Sequence, residues 1–340
     1  MHALTIRERE YAGLARGVRA AIVLPPLFAL ALLVIKQTEM AGFAVFGTFA
    51  HLVMIDYDPT KAARSLEAGA LTGLGAILIG LGTLASADIG LAVAVAAIAG
   101  FLAEWRWFAG GVIAVIRPAL LMAFMLAVAV PTSPGALPPL LCGWLLAGLL
   151  AQLALQLIWI PIQPVHAATA VPSVQPTATS SMALARAICA GTAMGFAVLA
   201  ARLLRLDHAF WVVLGVAPVL NIWKTSPAGI FWRQQAGTLL GFLAGAALVA
   251  SAGTDQVWYW IALPCTIFLS AYLSSAVGFM AGQAGFTAFA VVLFCILTPL
   301  QRQVGLLRVE DIALGGAIGL LVGSLQRLGC HFREQTSVPE

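Results

Sequence analysis

Twelve apolar runs, most of them close to the length a helix needs to cross a bilayer, follow one another from about residue 17 to residue 328. A helix rises about 1.5 Å per residue, so roughly 30 Å of hydrocarbon takes about 20 residues. The runs cover about 17–35, 40–55, 68–86, 88–105, 108–130 and 137–160, then about 186–204, 209–223, 236–252, 257–275, 277–298 and 311–328. None alternates apolar and polar residues over ten positions, as the strand of a membrane barrel would. Several are short or interrupted by glycine, which leaves room for one or two re-entrant or tilted segments. A water-soluble domain is excluded by composition: 9% of the 340 residues are charged and mean hydropathy is +0.98, against about 25% charged in soluble domains. The fold expected is all-α, a polytopic membrane protein whose first partner is the lipid bilayer.

Other classes fall away on motifs. The five cysteines have no CxxC or Cys/His spacing, so they read as reduced, packed small hydrophobes and no metal site is expected. A pI near 9.0 comes from basic residues at segment ends and not from a basic cluster interleaved with aromatics, so nucleic acid is not a partner. There is no P-loop lysine, no HExxH and no GxSxG, hence no enzyme, no cofactor and no ATP hydrolysis by the chain itself. The polar start, MHALTIREREYAGLARGVRA, enters an apolar run without a small-residue cleavage site and reads as a retained first helix.

Lys and Arg orient the helices, because they stay on the cytoplasmic side. With the N-terminus inside, twelve collect on that side and five on the other (Lys36, Arg202, Arg205, Arg302, Arg308), with Arg117 inside a segment. Both termini are therefore expected in the cytoplasm. The chain divides into a cytoplasmic N-terminal segment (1–16), a first six-helix membrane repeat (17–160), a cytoplasmic linker rich in Pro, Ala, Ser and Thr (161–182), a second six-helix repeat (183–328) and a cytoplasmic tail (329–340). Gly47 and Gly215, Pro59 and Pro227, Gly69 and Gly237, and Gly73 and Gly241 are each 168 positions apart, as are Gly110 and Gly278, and Pro131 and Pro299. Six spans per half put the two repeats the same way up, related by an axis along the membrane normal.

The segment HAFWVVLGVAP followed by TSPAGIFWRQQAGTLLG (225–241), and its weaker copy FGTFAHLVMIDYDPTKAARSLEAGALTG, resembles the fusaric acid resistance (FUSC) family of bacterial inner-membrane exporters. The likeness covers about 16–160 and 183–328. Longer members carry cytosolic domains after each six-helix block, and the first half here lacks the RxxGTLLG run. The resemblance implies efflux of small organic acids, aromatic carboxylic acids among them, and an architectural or gating role for Arg233. The family is also similar to plant aluminium-activated malate channels, which leaves an organic-anion channel as an alternative, beside a non-transporting scaffold or half-complex. A homo-oligomer or a periplasmic adaptor protein remains open as a further partner.

Charged groups inside a membrane are costly and mark pathways or structural pairs. Arg117, beside the helix-kinking Pro118, is the candidate to hold a substrate carboxylate through paired hydrogen bonds; the other reading pairs it with Glu104. His51, on an otherwise apolar segment, either couples transport to protons or packs by hydrogen bonding, and Asn221 lies two positions past its repeat equivalent. Gln152 and Gln156 read as interhelical hydrogen-bonding groups. The charged loop with Asp56, Asp58, Lys61, Arg64 and Glu67, and its counterpart with Lys224 and Arg233, are gating or coupling candidates, with a solvated loop as the plainer reading. Trp211, Trp223, Trp232, Trp258 and Trp260 read as interfacial anchors, and the glycines spaced by four as close helix contacts.

Overall fold

The computed structural model describes residues 6–105, 110–158, 180–206, 208–220, 226–298 and 304–336, with backbone alone for 6–7, 180–182, 304 and 326–336. It contains twelve helices among the described residues and no strand. They are α1 (Ile6–Ala29, continued by a π-helical turn at Leu30–Val34), α2 (Thr38–Leu52), α3 (Lys61–Ala85), α4 (Ile89–Glu104), α5 (Gly111–Ala129) and α6 (Leu137–Leu157). The second set is α7 (Ser180–Leu203), α8 (Phe210–Leu220), α9 (Pro227–Ala252), α10 (Gln256–Ala276), α11 (Phe279–Leu297) and α12 (Val304–Thr336). Eight of them are long and apolar enough to cross a membrane. Leucines and isoleucines such as Leu74, Ile77, Leu81, Leu149 and Leu243 stand exposed on their outer faces, a surface that suits lipid and not water.

Local chemistry sets the helix ends. Asp88 caps α4 by accepting from Leu91 N at 2.7 Å, Ser226 caps α9 from Gly229 N at 3.0 Å, and Asp255 caps α10 from Val257 N at 3.0 Å. Gly278, with φ of 124°, supplies the turn into α11 that a side chain would resist. Hydropathy placed five starts late. Helix α1 begins at Ile6, α3 at Lys61, α7 at Ser180, α9 at Pro227 and α12 at Val304, because their first turns are polar or charged, and in α3 and α12 the charges lie on the buried face. Arg64 and Glu67 therefore belong to a helix and not to a solvated loop, at 4% and 5% exposure. The expected tail also changes, since α12 continues to Thr336. Most of the 161–182 connector lies outside the described residues.

Helix pairings repeat between the two sets. Helix α2 packs on α6 and α8 on α12; α3 packs on α5 and α6, and α9 on α11 and α12; α1 touches α2 and α6, and α7 touches α8 and α12. Across the sets the exchange is reciprocal, α1 against α10 and α7 against α4. Close approach at small residues makes these contacts: a Cβ on Gly143 would lie 2.3 Å from Met40 O, and one on Gly315 would lie 1.9 Å from Val212 O. The 168-residue register does not mark equivalent sites on α3 and α9. Gly69 and Gly73 have open space before them, whereas Gly237 and Gly241 press against Met280 and Ala284 of α11. The glycine matches there reflect composition, while the repeated architecture rests on other pairs, such as Gly143 with Gly315.

Candidate functional site

The two shortest helices of the matching positions, α2 with 15 residues and α8 with 11, are mostly buried and meet at the seam between the sets. An 11-residue helix rises about 16 Å, short of the hydrocarbon thickness. Such paired short segments at corresponding places in two repeats are where membrane carriers tend to place their sites. Phe46 of α2 meets Phe210 and Trp211 of α8 at 5.3 and 6.0 Å between ring centroids, and Phe49 meets Phe286 of α11 at 4.6 Å. Beside Phe46 and Phe210, Met122, Met125, Leu126 and Leu214 leave a void of only about 10 Å³, so the seam is closed at this level.

Into this aromatic group projects Arg308 of α12, 1% exposed. Its guanidinium carbon lies 3.8 Å from the Trp211 ring centroid and 4.6 Å from that of Phe286. Its Nε donates to Thr287 Oγ1 at 3.1 Å, and Nη1 has no hydrogen-bond partner among the described residues. Asp311, one turn along α12 and also buried, lies near enough for its charge to act on Arg308. Beside it Trp211 Nε1, and on α9 Gln234 Oε1 and Thr238 Oγ1, are likewise buried without hydrogen-bond partners among the described residues. Stacked π faces stabilise a guanidinium but leave its in-plane N–H groups free to donate. Such a set can hold a carboxylate by charge-assisted hydrogen bonds against apolar walls.

Arg308 was counted among the residues outside the membrane, because Arg308, Glu310 and Asp311 together depress hydropathy ahead of residue 311. The usable signal was periodic. Gly305, Arg308, Ile312, Gly315 and Gly319 form one buried stripe at helical spacing. Trp211, read as an interfacial anchor, is fully buried; Trp232 and Trp258 are exposed at 68% and 57%, as anchors would be. Trp223 lies outside the described residues.

The other candidates disperse. Arg117 is half-buried on the least buried side of α5, beside the exposed Pro118, and no hydrogen bond or ion pair to it is present among the described residues. Glu104, its expected partner, pairs instead with Arg186 at 3.3 Å, joining α4 to α7. His51 is fully buried between Gly47 O, 2.7 Å from Nδ1, and Thr72 Oγ1, 3.0 Å from Nε2, with Trp144 at 5.0 Å between rings. Asn221 and Lys224 lie outside the described residues. Arg233 is exposed on α9, while the buried face of that helix shows Gln234, Gly237, Thr238 and Gly241. Gln156 donates to Ser65 Oγ at 2.7 Å, an interhelical bond as expected.

Asp56, Asp58 and Arg64 do come together, with partners from α1. Arg16 pairs with Asp56, Asp58 N donates to Glu67 Oε2 at 2.9 Å, and Arg64 Nη1 donates to Pro59 O at 3.0 Å. Tyr57 is buried among them, and burial together with the neighbouring Glu67 carboxylate pushes its phenol far above the ordinary value. At the opposite helix ends, Arg202 Nη2 donates to Ser86 O at 2.7 Å and Val128 O at 3.0 Å, satisfying carbonyls at the ends of α3 and α5. Cys142, Cys189, Cys265 and Cys295 are in no disulfide among the described residues, and Cys142 and Cys265 are exposed on the outer surface, not packed inside. No cluster of potential metal ligands occurs among the described residues.

Residues 196–322, which include Trp211, Gln234, Thr287 and Arg308, match the model of a protein family described as fusaric acid resistance protein-like. No curated protein and no solved structure matches the sequence.

Proposed function

We propose that this multi-pass membrane protein is an inner-membrane transporter that exports small organic acids, aromatic carboxylates among them, with both termini in the cytoplasm. The observation that carries the reading is Arg308: a buried guanidinium stacked between rings at the seam, with an N–H group that nothing among the described residues accepts. A carboxylate would pair with it, and a flat apolar body would lie against Phe46, Phe210 and Phe286. The family description of residues 196–322, resistance to an acid, points the same way.

The test is uptake of labelled benzoate into proteoliposomes, with and without an imposed pH gradient. Wild type, Arg308→Gln, Arg308→Lys and Arg117→Ala would be compared. Losing a buried charge partner of the substrate costs several kcal/mol, so flux should fall at least about 100-fold in Arg308→Gln. Arg308→Lys should recover little, and Arg117→Ala should stay near wild type. Equal flux in Arg308→Gln and wild type would remove the site. Flux indifferent to the gradient would favour a channel, and none with any acid tested would favour a scaffold or half-complex.

A further inference from the structure

While the His51 ring is neutral, two acceptors compete for the one hydroxyl hydrogen of Thr72. Gly47 O can only accept, so the 2.7 Å contact requires a proton on Nδ1. Neutral imidazole then has a bare Nε2, which needs a donor. Its neighbour is Thr72 Oγ1 at 3.0 Å, but that hydroxyl also lies 2.8 Å from Ala68 O, which again can only accept. One hydroxyl hydrogen cannot serve both. All three contacts are hydrogen bonds at once only when Nε2 also carries a proton, which donates to Thr72 Oγ1 while Thr72 donates to Ala68 O. Trp144 meets the ring at 5.0 Å and is itself fixed by its Nε1 donating to Thr72 O at 3.0 Å. Its π face, like Gly47 O, gains when the imidazole becomes a cation.

We infer that His51, Thr72 and Trp144 form a proton-binding site, in which protonation of Nε2 turns the Thr72 hydroxyl from the histidine to Ala68 O. His51 occupies the last turn of α2, and the half-exposed Asp56 follows five residues later, so a proton need travel only a short way from that end. Because α2 also carries Phe46 and Phe49 into the aromatic seam, a change in how its end is bonded to α3 is felt beside Arg308. That consequence rests on the transport reading; proton binding itself does not.

The charged and titratable groups on the surrounding elements are Glu8, Arg9, Glu10, Tyr11, Arg16 and Arg19 of α1, Glu39 at the far end of α2, Asp56, Tyr57 and Asp58 of the 53–60 segment, Lys61, Arg64 and Glu67 of α3, and Arg117 of α5. Helix α6 contributes Cys142 and no charge. None is hydrogen-bonded or ion-paired to the ring: Arg16 holds Asp56, Arg64 holds Pro59 O, and Glu67 accepts from Asp58 N. Burial opposes the charge, so the three contacts must supply what solvent would.

Protonated imidazole quenches an adjacent indole, which gives a readout independent of flux. The purified protein in nanodiscs would be titrated with acid while tryptophan emission is followed, alongside His51→Gln, Trp144→Phe and Thr72→Val, each first shown to be folded by its thermal transition. Wild type should show a quenching step that is lost in both His51→Gln and Trp144→Phe. In Thr72→Val the step should move about one pH unit lower, since a hydrogen bond to a charged group is worth about that much, and Thr72→Ser should restore it. A step of unchanged midpoint and amplitude in His51→Gln, or no step in the wild type, overturns the proposal. Failure of benzoate flux would leave this titration unaffected, so the two readings fall separately.

Discussion

Between α2, α3 and α6 lies a polar group free of Lys, Arg, Asp and Glu, while Arg64 and Glu67 are buried nearer the start of α3: Thr48 donates to Ala44 O, His51 and Thr72 meet each other, and Trp144 donates to Thr72 O. The corresponding helices of the second set, α8, α9 and α12, together with α11, bury a cation on aromatic rings. There one guanidinium N–H, an indole N–H, an amide oxygen and a hydroxyl go without partners among the described residues, as Thr83 Oγ1 and Gln156 Oε1 do in the first set. Buried polar groups lacking partners cost about 1–3 kcal/mol each. What sets the second interior apart is that its unmet N–H belongs to a fully buried cation stacked on rings, which offers a charge to something that arrives from outside. One scaffold thus carries two kinds of interior, and the division of labour lies in side chains and not in backbone.

The sharpest break of this comparison is Arg308→Met. If Arg308 serves a ligand, flux should drop at least about 100-fold. Thermal stability, read in the double variant Arg308→Met, Asp311→Leu so that no carboxylate is left buried without its cation, should hold or rise, because replacing a buried set of charges by apolar side chains of similar volume is often neutral or stabilising. Loss of both together would make Arg308 a structural residue. The architecture, by contrast, should respond alike in both halves. Gly143→Ala and Gly315→Ala each force a Cβ into a backbone carbonyl and should destabilise by about 1–3 kcal/mol or more, while Gly69→Ala, facing open space, should be near neutral. Denaturation of the three variants in detergent decides it, and unequal losses for Gly143 and Gly315 would break the equivalence of the halves. Smallest is the tryptophan pair. Trp144→Phe removes a made hydrogen bond and should cost about 1 kcal/mol more than the same change at Trp211, whose N–H bonds nothing among the described residues.

All twelve helices could be read from apolar runs, because in lipid the backbone must satisfy itself and the hydrocarbon fixes segment length. What escaped were helix starts where the buried face is charged. Arg64, Glu67 and Arg308 look like loop residues to any average over neighbours, and become interior ones only when their helical phase is followed. Arg117 misled for the opposite reason, since a lone charge in a run is conspicuous whichever way it points. His51 was visible as an oddity, but its proton arithmetic needed Gly47, Thr72 and Ala68 at measured distances. The glycines spaced by 168 divide: Gly47 and Gly215 meet α6 and α12 alike, whereas Gly69 is no counterpart of Gly237 in what it touches.

The exchange of α1 for α10 and of α7 for α4 is a self-complementary handshake, the pattern of a two-fold homodimer whose subunits have been fused. Gly13 and Gly17 approach Tyr272 and Phe268 on one side as Gly191 and Gly195 approach Ala97 and Val93 on the other. A gene cut near codon 170 should therefore yield two polypeptides that find each other in the same bilayer. Once freed from a common chain, each piece could also recruit a second copy of itself through the same patches. The covalent join then serves less to hold the halves together than to forbid like from pairing with like, so that every assembled molecule carries one Arg308 interior and one His51 interior.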